Sequence, residues 1–198
     1  MWCVLGGIFP FSCRYHFDSA HQESFASRTI SIPYIEGDVN CVLSDELVKA
    51  IATSGIYRYT SCGGELELKV MVIEEKRVPI GWKYQKEVSG KLKDELIGTE
   101  ARLEMLATVS LVHRSTGDSI WGPISFSSSI DYDYYEPDCI EDLSFVMPPY
   151  GRQTSVQFSL GQLDSFEGAH TGATSFLSKE LAKKIVKQLI RRGSIEAE

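Results

Sequence analysis

Several clusters in the 198-residue chain carry side chains with chemistry to offer. In Gly117-Asp118-Ser119-Ile120, Ser119 is a candidate nucleophile, and Glu167-Gly-Ala-His170 holds the carboxylate and imidazole that such a serine needs. The context argues otherwise: Ser119 opens an alternating strand in mid-chain, and Gly-Asp is ordinary hairpin-turn chemistry. Asp131, Asp133, Glu136 and Asp138 offer the oxygen ligands of a hard cation. Alternation puts Asp131 and Asp133 together on a solvent face, so a solvated strand end is expected. Cys3, Cys13, Cys41, Cys62 and Cys139 show neither C-x-x-C pairs nor the nearby histidines of a zinc site. If Cys3 and Cys13 are removed or modified, Cys41, Cys62 and Cys139 leave room for one disulfide at most, with the pairing open. His113 ends an apolar strand face, and Ser61-Cys62-Gly63-Gly64 has the composition of a turn. No catalytic residue, metal or cofactor is expected.

Cys13 follows Met1-Trp-Cys-Val-Leu-Gly-Gly-Ile-Phe-Pro-Phe11, a run without charge before Arg14. A buried N-terminal strand is one reading, but Gly6, Gly7 and Pro10 weaken a strand interior. A bacterial lipoprotein signal is the other. The run is too short to span a bilayer, which takes about 20 apolar residues, and Ser12-Cys13 supplies the small residue and thiol at which such signals are cut and lipidated. Pro10 stands where leucine is usual, and no Lys or Arg precedes the run.

With 43% hydrophobic and 24% charged residues, the chain has the composition of a globular domain. Its net charge of -7 argues against a general nucleic-acid binder. Two windows run the other way. Lys69 to Lys93 holds seven basic and three acidic residues, and Phe176 to Arg192 six basic and one acidic.

The elements that must position these residues follow from periodicity. Arg28 to Ile35 alternates and predicts a short strand, placed at a sheet edge by Pro33. Ser44 predicts an N-cap for a helix whose stripe is Leu47, Val48 and Ile51 and whose end is Gly55. Glu65 to Glu74 predicts a half-exposed strand, and Val78 to Leu92 a long loop or irregular strand extension. Ala101, Leu103, Met105, Ala107, Val109 and Leu111 share one face of the clearest strand. Ser115 to Asp118 turns the chain into a return strand lined by Ile120, Ile124, Phe126, Ile130, Tyr132 and Tyr134. Tyr135 to Gly151 is Pro-rich and irregular. Helical character resumes after Thr154, breaks near Gly168 to Gly172, and is strong in Phe176 to Arg192. The expected fold class is α+β: a two-layer sandwich of order β-α-β-β-β-α, with a mixed four-stranded β-sheet and two α-helices packed on one face. The expected division is 1–12 signal peptide, 13–27 tether and 28–198 a single domain.

Specific residues resemble a known family. Cys13-Arg14-Tyr15-His16-Phe17 is similar to the Cys-Gly-Tyr-x-Phe/Leu that opens mature lipopolysaccharide-assembly lipoproteins of the LptE type, with Arg14 in place of Gly. Ile30-Ser-Ile-Pro-Tyr34 resembles that family's strand ahead of its first helix. The strand IWGPISFSSSIDYDYYEPD and the basic C-terminal helix are similar as well. The resemblance implies a lipid anchor on Cys13 and a place at the outer membrane facing the periplasm. It also implies an LptD-type β-barrel partner and the binding of lipopolysaccharide. That ligand presents phosphates and acyl chains, so cations beside aromatic surface are expected to contact it. Trp82, Lys83, Lys86, Lys91 and Lys93 are the candidates, while the C-terminal cations suit a solvated helix face. A different periplasmic lipoprotein, such as a cell-wall synthase activator or secretion-pore subunit, is the alternative. Gly-Asp-Ser-Ile also resembles the nucleophile motif of GDSL esterases, a remote second alternative.

Overall fold

A computed structural model describes residues 28–86, 91–135, 144–154 and 164–195. The signal and tether assignments, with Cys13, lie outside these residues, as do Glu136, Asp138 and Cys139. The order is β1 (Thr29–Ser31), α1 (Val42–Ser54), β2 (Arg58–Tyr59), β3 (Leu66–Lys86), β4 (Leu92–His113), β5 (Ser119–Asp133), β6 (Ser144–Met147), β7 (Gly151–Thr154) and α2 (Phe166–Ile195). One mixed sheet has the order β2-β1-β3-β4-β5, and β6 pairs with β7 in a separate hairpin.

The α+β class and the pair of helices on an open mixed sheet agree with expectation, although the sheet has five strands rather than four. The extra strand, β2, is two residues long, too short to alternate, and runs parallel to β1. Strand β1 is also parallel to β3, so it lies inside the sheet rather than at the edge expected from Pro33. The strand ends at Ser31, before the proline, and no ladder bond is asked of it. The hairpin β6-β7 falls in the region expected to be irregular.

The core lies between sheet and helices. Leu43, Leu47 and Ile51 of α1, and Leu177, Leu181 and Ile185 of α2, are fully buried. They meet Leu66, Leu68, Leu103, Ala107 and Val109 on the sheet. Alternation along β4 puts Ala101, Leu103, Met105, Ala107, Val109 and Leu111 inside, as the pattern predicts. Strand β5 obeys the expected alternation only in part. Val109 pairs with Ile124 but Leu111 pairs with Trp121, so β5 carries an extra residue between them. That bulge shifts the parity of the strand: Trp121, opposite buried Leu111, shares the inward face with Ile124 in place of Ile120 and is buried, while Ile124 stays partly exposed at the same face. Gly122 occupies the bulge with φ +87, where a Cβ would sit 2.5 Å from the Val109 carbonyl oxygen.

Helix α1 starts differently from the sequence reading. Cys41, not Ser44, occupies the N-cap position, and its own side chain makes no capping bond. The cap comes from Asp38 in the preceding loop. Its carboxylate accepts from the Leu43 and Ser44 amides at 3.3 and 2.8 Å and from the Ser44 hydroxyl at 2.7 Å. Asp38 is itself buried, so its loss strands amide donors away from water. Asp38→Ala is expected to lower stability by about 1–2 kcal/mol in a urea titration, with the slope unchanged. Gly55 ends the helix in the left-handed conformation, as anticipated.

Helix α2 runs unbroken through Gly168 and Gly172, against the expected interruption. Each glycine costs about 1 kcal/mol in a helix interior, and a local cap together with tertiary contacts at the helix start offsets that here. The Ser165 hydroxyl accepts from the Gly168 amide. Phe166 meets Tyr134 edge-on at 5.2 Å between centroids, and the Arg77 guanidinium lies 4.3 Å from its ring centre. Tyr132 completes this cluster, 6.3 Å from the His170 ring. Burial pushes the Tyr132 hydroxyl upward from its ordinary pKa.

Candidate functional site

Strands β3 and β4 are much longer than their neighbours require. Strand β5 accompanies β4 only as far as the Glu100–Asp133 pair. Beyond it, Trp82 pairs with Gly98, Lys83 with Ile97, Tyr84 with Leu96 and Lys86 with Leu92. Val78 to Leu92 is therefore a strand extension rather than a loop up to Lys86. Among the described residues the two strands form a free ribbon that carries no third strand.

Cross-strand partners share a face, so the register sorts the candidate residues. Trp82, Tyr84 and Leu96 lie on one face, continued by Leu92 opposite Lys86. Their exposures are 57, 51, 58 and 57%, which makes this an apolar surface that nothing in the described chain covers. Lys83 points to the other face beside Ile97, so Trp82 and Lys83 do not act from one side. Lys93 donates to the Gln85 side-chain oxygen at 3.2 Å. Lys86 and Lys91 are exposed near the ribbon's end. The ribbon thus joins an aromatic and aliphatic face to lysines at its margins and tip, an arrangement suited to an apolar partner with anionic groups at its border. Asp94 and Glu95, just past the basic window, moderate its positive charge.

Residue type alone singles out Trp82 and the lysines but not Leu92 and Leu96. They were legible only as even-numbered apolar positions in Leu92-Lys-Asp-Glu-Leu96, a pattern too short and too charged to stand out without its partner strand.

The other clusters are not assembled into sites. Ser119 begins β5, whereas His170 packs against Tyr132 near the strand's other end. Thirteen residues of extended chain separate them, about 40 Å. The serine, histidine and carboxylate of an esterase are not brought together. His170 instead faces Glu75 at 3.7 Å. Asp131 accepts hydrogen bonds from Nε and Nη2 of Arg102, at 2.6 and 2.9 Å, and these hydrogen bonds hold its carboxyl below the usual carboxylate range. No group of metal-ligating side chains occurs among the described residues. Cys41 and Cys62 are both free and exposed.

No protein-family profile matches the chain, and no curated protein does. Solved structures do. A candidate lipoprotein from Caulobacter crescentus matches with TM-score 0.52 at 14% identity, covering 89% of this chain and 97% of its own. The minor lipoprotein of Acinetobacter baumannii gives 0.45 at 12% identity, over 81 and 89% of the two chains. Rare lipoprotein B of Shewanella oneidensis gives 0.46 at 9%, over 86 and 99%. At such identities the Caulobacter likeness speaks to the fold: the two-layer arrangement of helices on a mixed sheet recurs over most of both chains.

Proposed function

We propose that the chain is a lipid-anchored envelope protein of the LptE type. In this reading Cys13 carries the anchor, and the β3–β4 ribbon is the surface that meets an LptD-type β-barrel and lipopolysaccharide at the outer membrane. The observation that carries the reading is the uncovered Trp82–Tyr84–Leu92–Leu96 face with lysines at its edge. A large apolar patch on a ribbon is costly to leave in water, and a barrel wall or acyl chains would cover it. The lysines would then lie level with phosphates. The fold shared with the Caulobacter candidate lipoprotein supports the architecture, and the Cys-x-Tyr-x-Phe start supports the anchor.

The test is co-purification from detergent-solubilised envelopes. The chain is expected to retain a large outer-membrane barrel protein, and Trp82→Asp with Tyr84→Asp to lose it. Retention of a cell-wall synthase or a secretion pore instead would move the assignment to the alternative lipoprotein class. A second measurement addresses the lipid. Lys83→Glu with Lys86→Glu is expected to weaken binding of purified lipopolysaccharide about tenfold at low salt, since exposed ion pairs contribute up to about 1 kcal/mol each and reversal adds repulsion. Unchanged binding would remove lipopolysaccharide contact from the ribbon.

A further inference from the structure

The helical layer carries a second surface, distinct from the ribbon. A groove of about 620 Å³ runs between α1 and α2 on their outer side. Its α2 wall is Lys179, Lys183, Val186, Lys187 and Ile190, a single stripe at helical spacing. From Lys179 to Ile190 it extends about 16 Å along the axis. Its α1 wall is Glu46, Lys49, Ala50, Thr53 and Ser54. The shortness of Ala50, Thr53 and Ser54 keeps the groove open where a larger residue would fill it.

The chemistry of the walls is divided. Val186 is buried, and Ala50 and Ile190 are half-buried, so the floor is apolar. Four lysines stand around it against one glutamate. Lys49 and Lys183 have partners on their own helices, Glu46 at 2.7 Å and Glu180 at 2.6 Å, exposed pairs that hold little energy. Lys179 and Lys187 are exposed and lie in one row with Lys183. Like charges four residues apart on a helix destabilise it, and this row occurs in a chain of net charge -7. Long lysine stems lie along apolar surface while their heads reach outward, so these ammonium groups can converge on an anion held above the floor.

We propose that this groove binds an anionic amphiphile with a single alkyl chain. The chain would lie along Ala50, Val186 and Ile190, and the phosphate or carboxylate head would be held by Lys179, Lys187 and their neighbours. The floor rewards an alkyl chain but offers no anion contact, and the rim rewards an anion but buries no apolar area. Both are needed for binding.

Isothermal titration with dodecyl phosphate below its micelle concentration tests this on the full chain, with inorganic phosphate and dodecyl maltoside as half-ligands. Saturable one-to-one binding of dodecyl phosphate is expected, with each half-ligand at least about tenfold weaker. Lys179→Glu with Lys187→Glu should weaken dodecyl phosphate about tenfold, and Ala50→Phe should abolish binding by filling the groove. The lysine pair is on the surface, so that variant keeps the test decisive if Ala50→Phe fails to fold. Equal affinity for dodecyl maltoside would overturn the proposal, as would binding that survives the lysine reversals or no binding at all.

Discussion

Cys13→Ser is expected to move the protein from an almost wholly membrane-bound fraction to an almost wholly soluble one. The effect is large because the proposed anchor is covalent and multiple. Each buried methylene contributes about 0.8 kcal/mol, yet a single acyl chain binds a bilayer only marginally, with a constant on the order of 10⁴ M⁻¹. Several chains on one cysteine take the same domain to durable attachment. Serine preserves the size of the side chain but lacks the thiol that accepts the lipid. No helix among the described residues is long and apolar enough to cross a membrane, and the proposal places retention on Cys13. Fractionation of cells expressing both forms measures the shift. Mass spectrometry of the N-terminal peptide supplies the chemistry: a lipid-modified Cys13 supports the anchor, and an unmodified chain that keeps residues 1–12 sinks it.

Leu181→Ala should produce the largest loss of stability, about 2–5 kcal/mol. Leu181 is fully buried within the cluster that joins α1, α2 and the sheet. Truncation removes apolar area and leaves a cavity that two packed helices collapse into poorly. For a domain of this size, each kcal/mol is about 2–4 °C in Tm, so a drop of roughly 5–20 °C is expected in a thermal melt. Phe176, five residues earlier on the same helix, is 62% exposed, and Phe176→Ala should change stability by no more than about 0.5 kcal/mol. If both variants melted alike, the assigned face of α2 would be wrong.

That contrast shows what a linear pattern can carry. Both residues are large and apolar, and the stripe of Leu177, Leu181, Ile185 and Leu189 already selects the inner face at a period of 3.6. Alternation did the same for β4, whose inward set agrees residue by residue. These patterns report directly on burial, because one face of each element must leave water. Turn chemistry was equally local: Gly117, with φ +76, closes the β4–β5 hairpin where the Thr-Gly-Asp run stands.

Other features depend on partners distant in sequence. Asp38 caps α1 because a loop folds back onto the helix start, so the local Ser44 signal was displaced. Gly168 and Gly172 stay helical because Phe166 docks on Tyr134 and Arg77. The β5 bulge turns Trp121 inward in place of Ile120, a change of parity that alternation cannot foresee. The ribbon is the clearest case. Trp82 and the lysines stand out by residue type, but their sorting onto opposite faces, and the addition of Leu92 and Leu96, come from the β3–β4 register. The groove between the helices depends likewise on the approach of α1 and α2, which turns a row of lysines expected to be a solvated face into one wall of a cleft. By itself the sequence determined the main helices and long strands and the inward faces of β4 and α2, and it singled out a candidate anchor, because short-range periodicity and motif chemistry are written along one segment. Tertiary structure decided which surfaces stay uncovered and which cations meet apolar floor, because those properties belong to pairs of segments brought together only by folding.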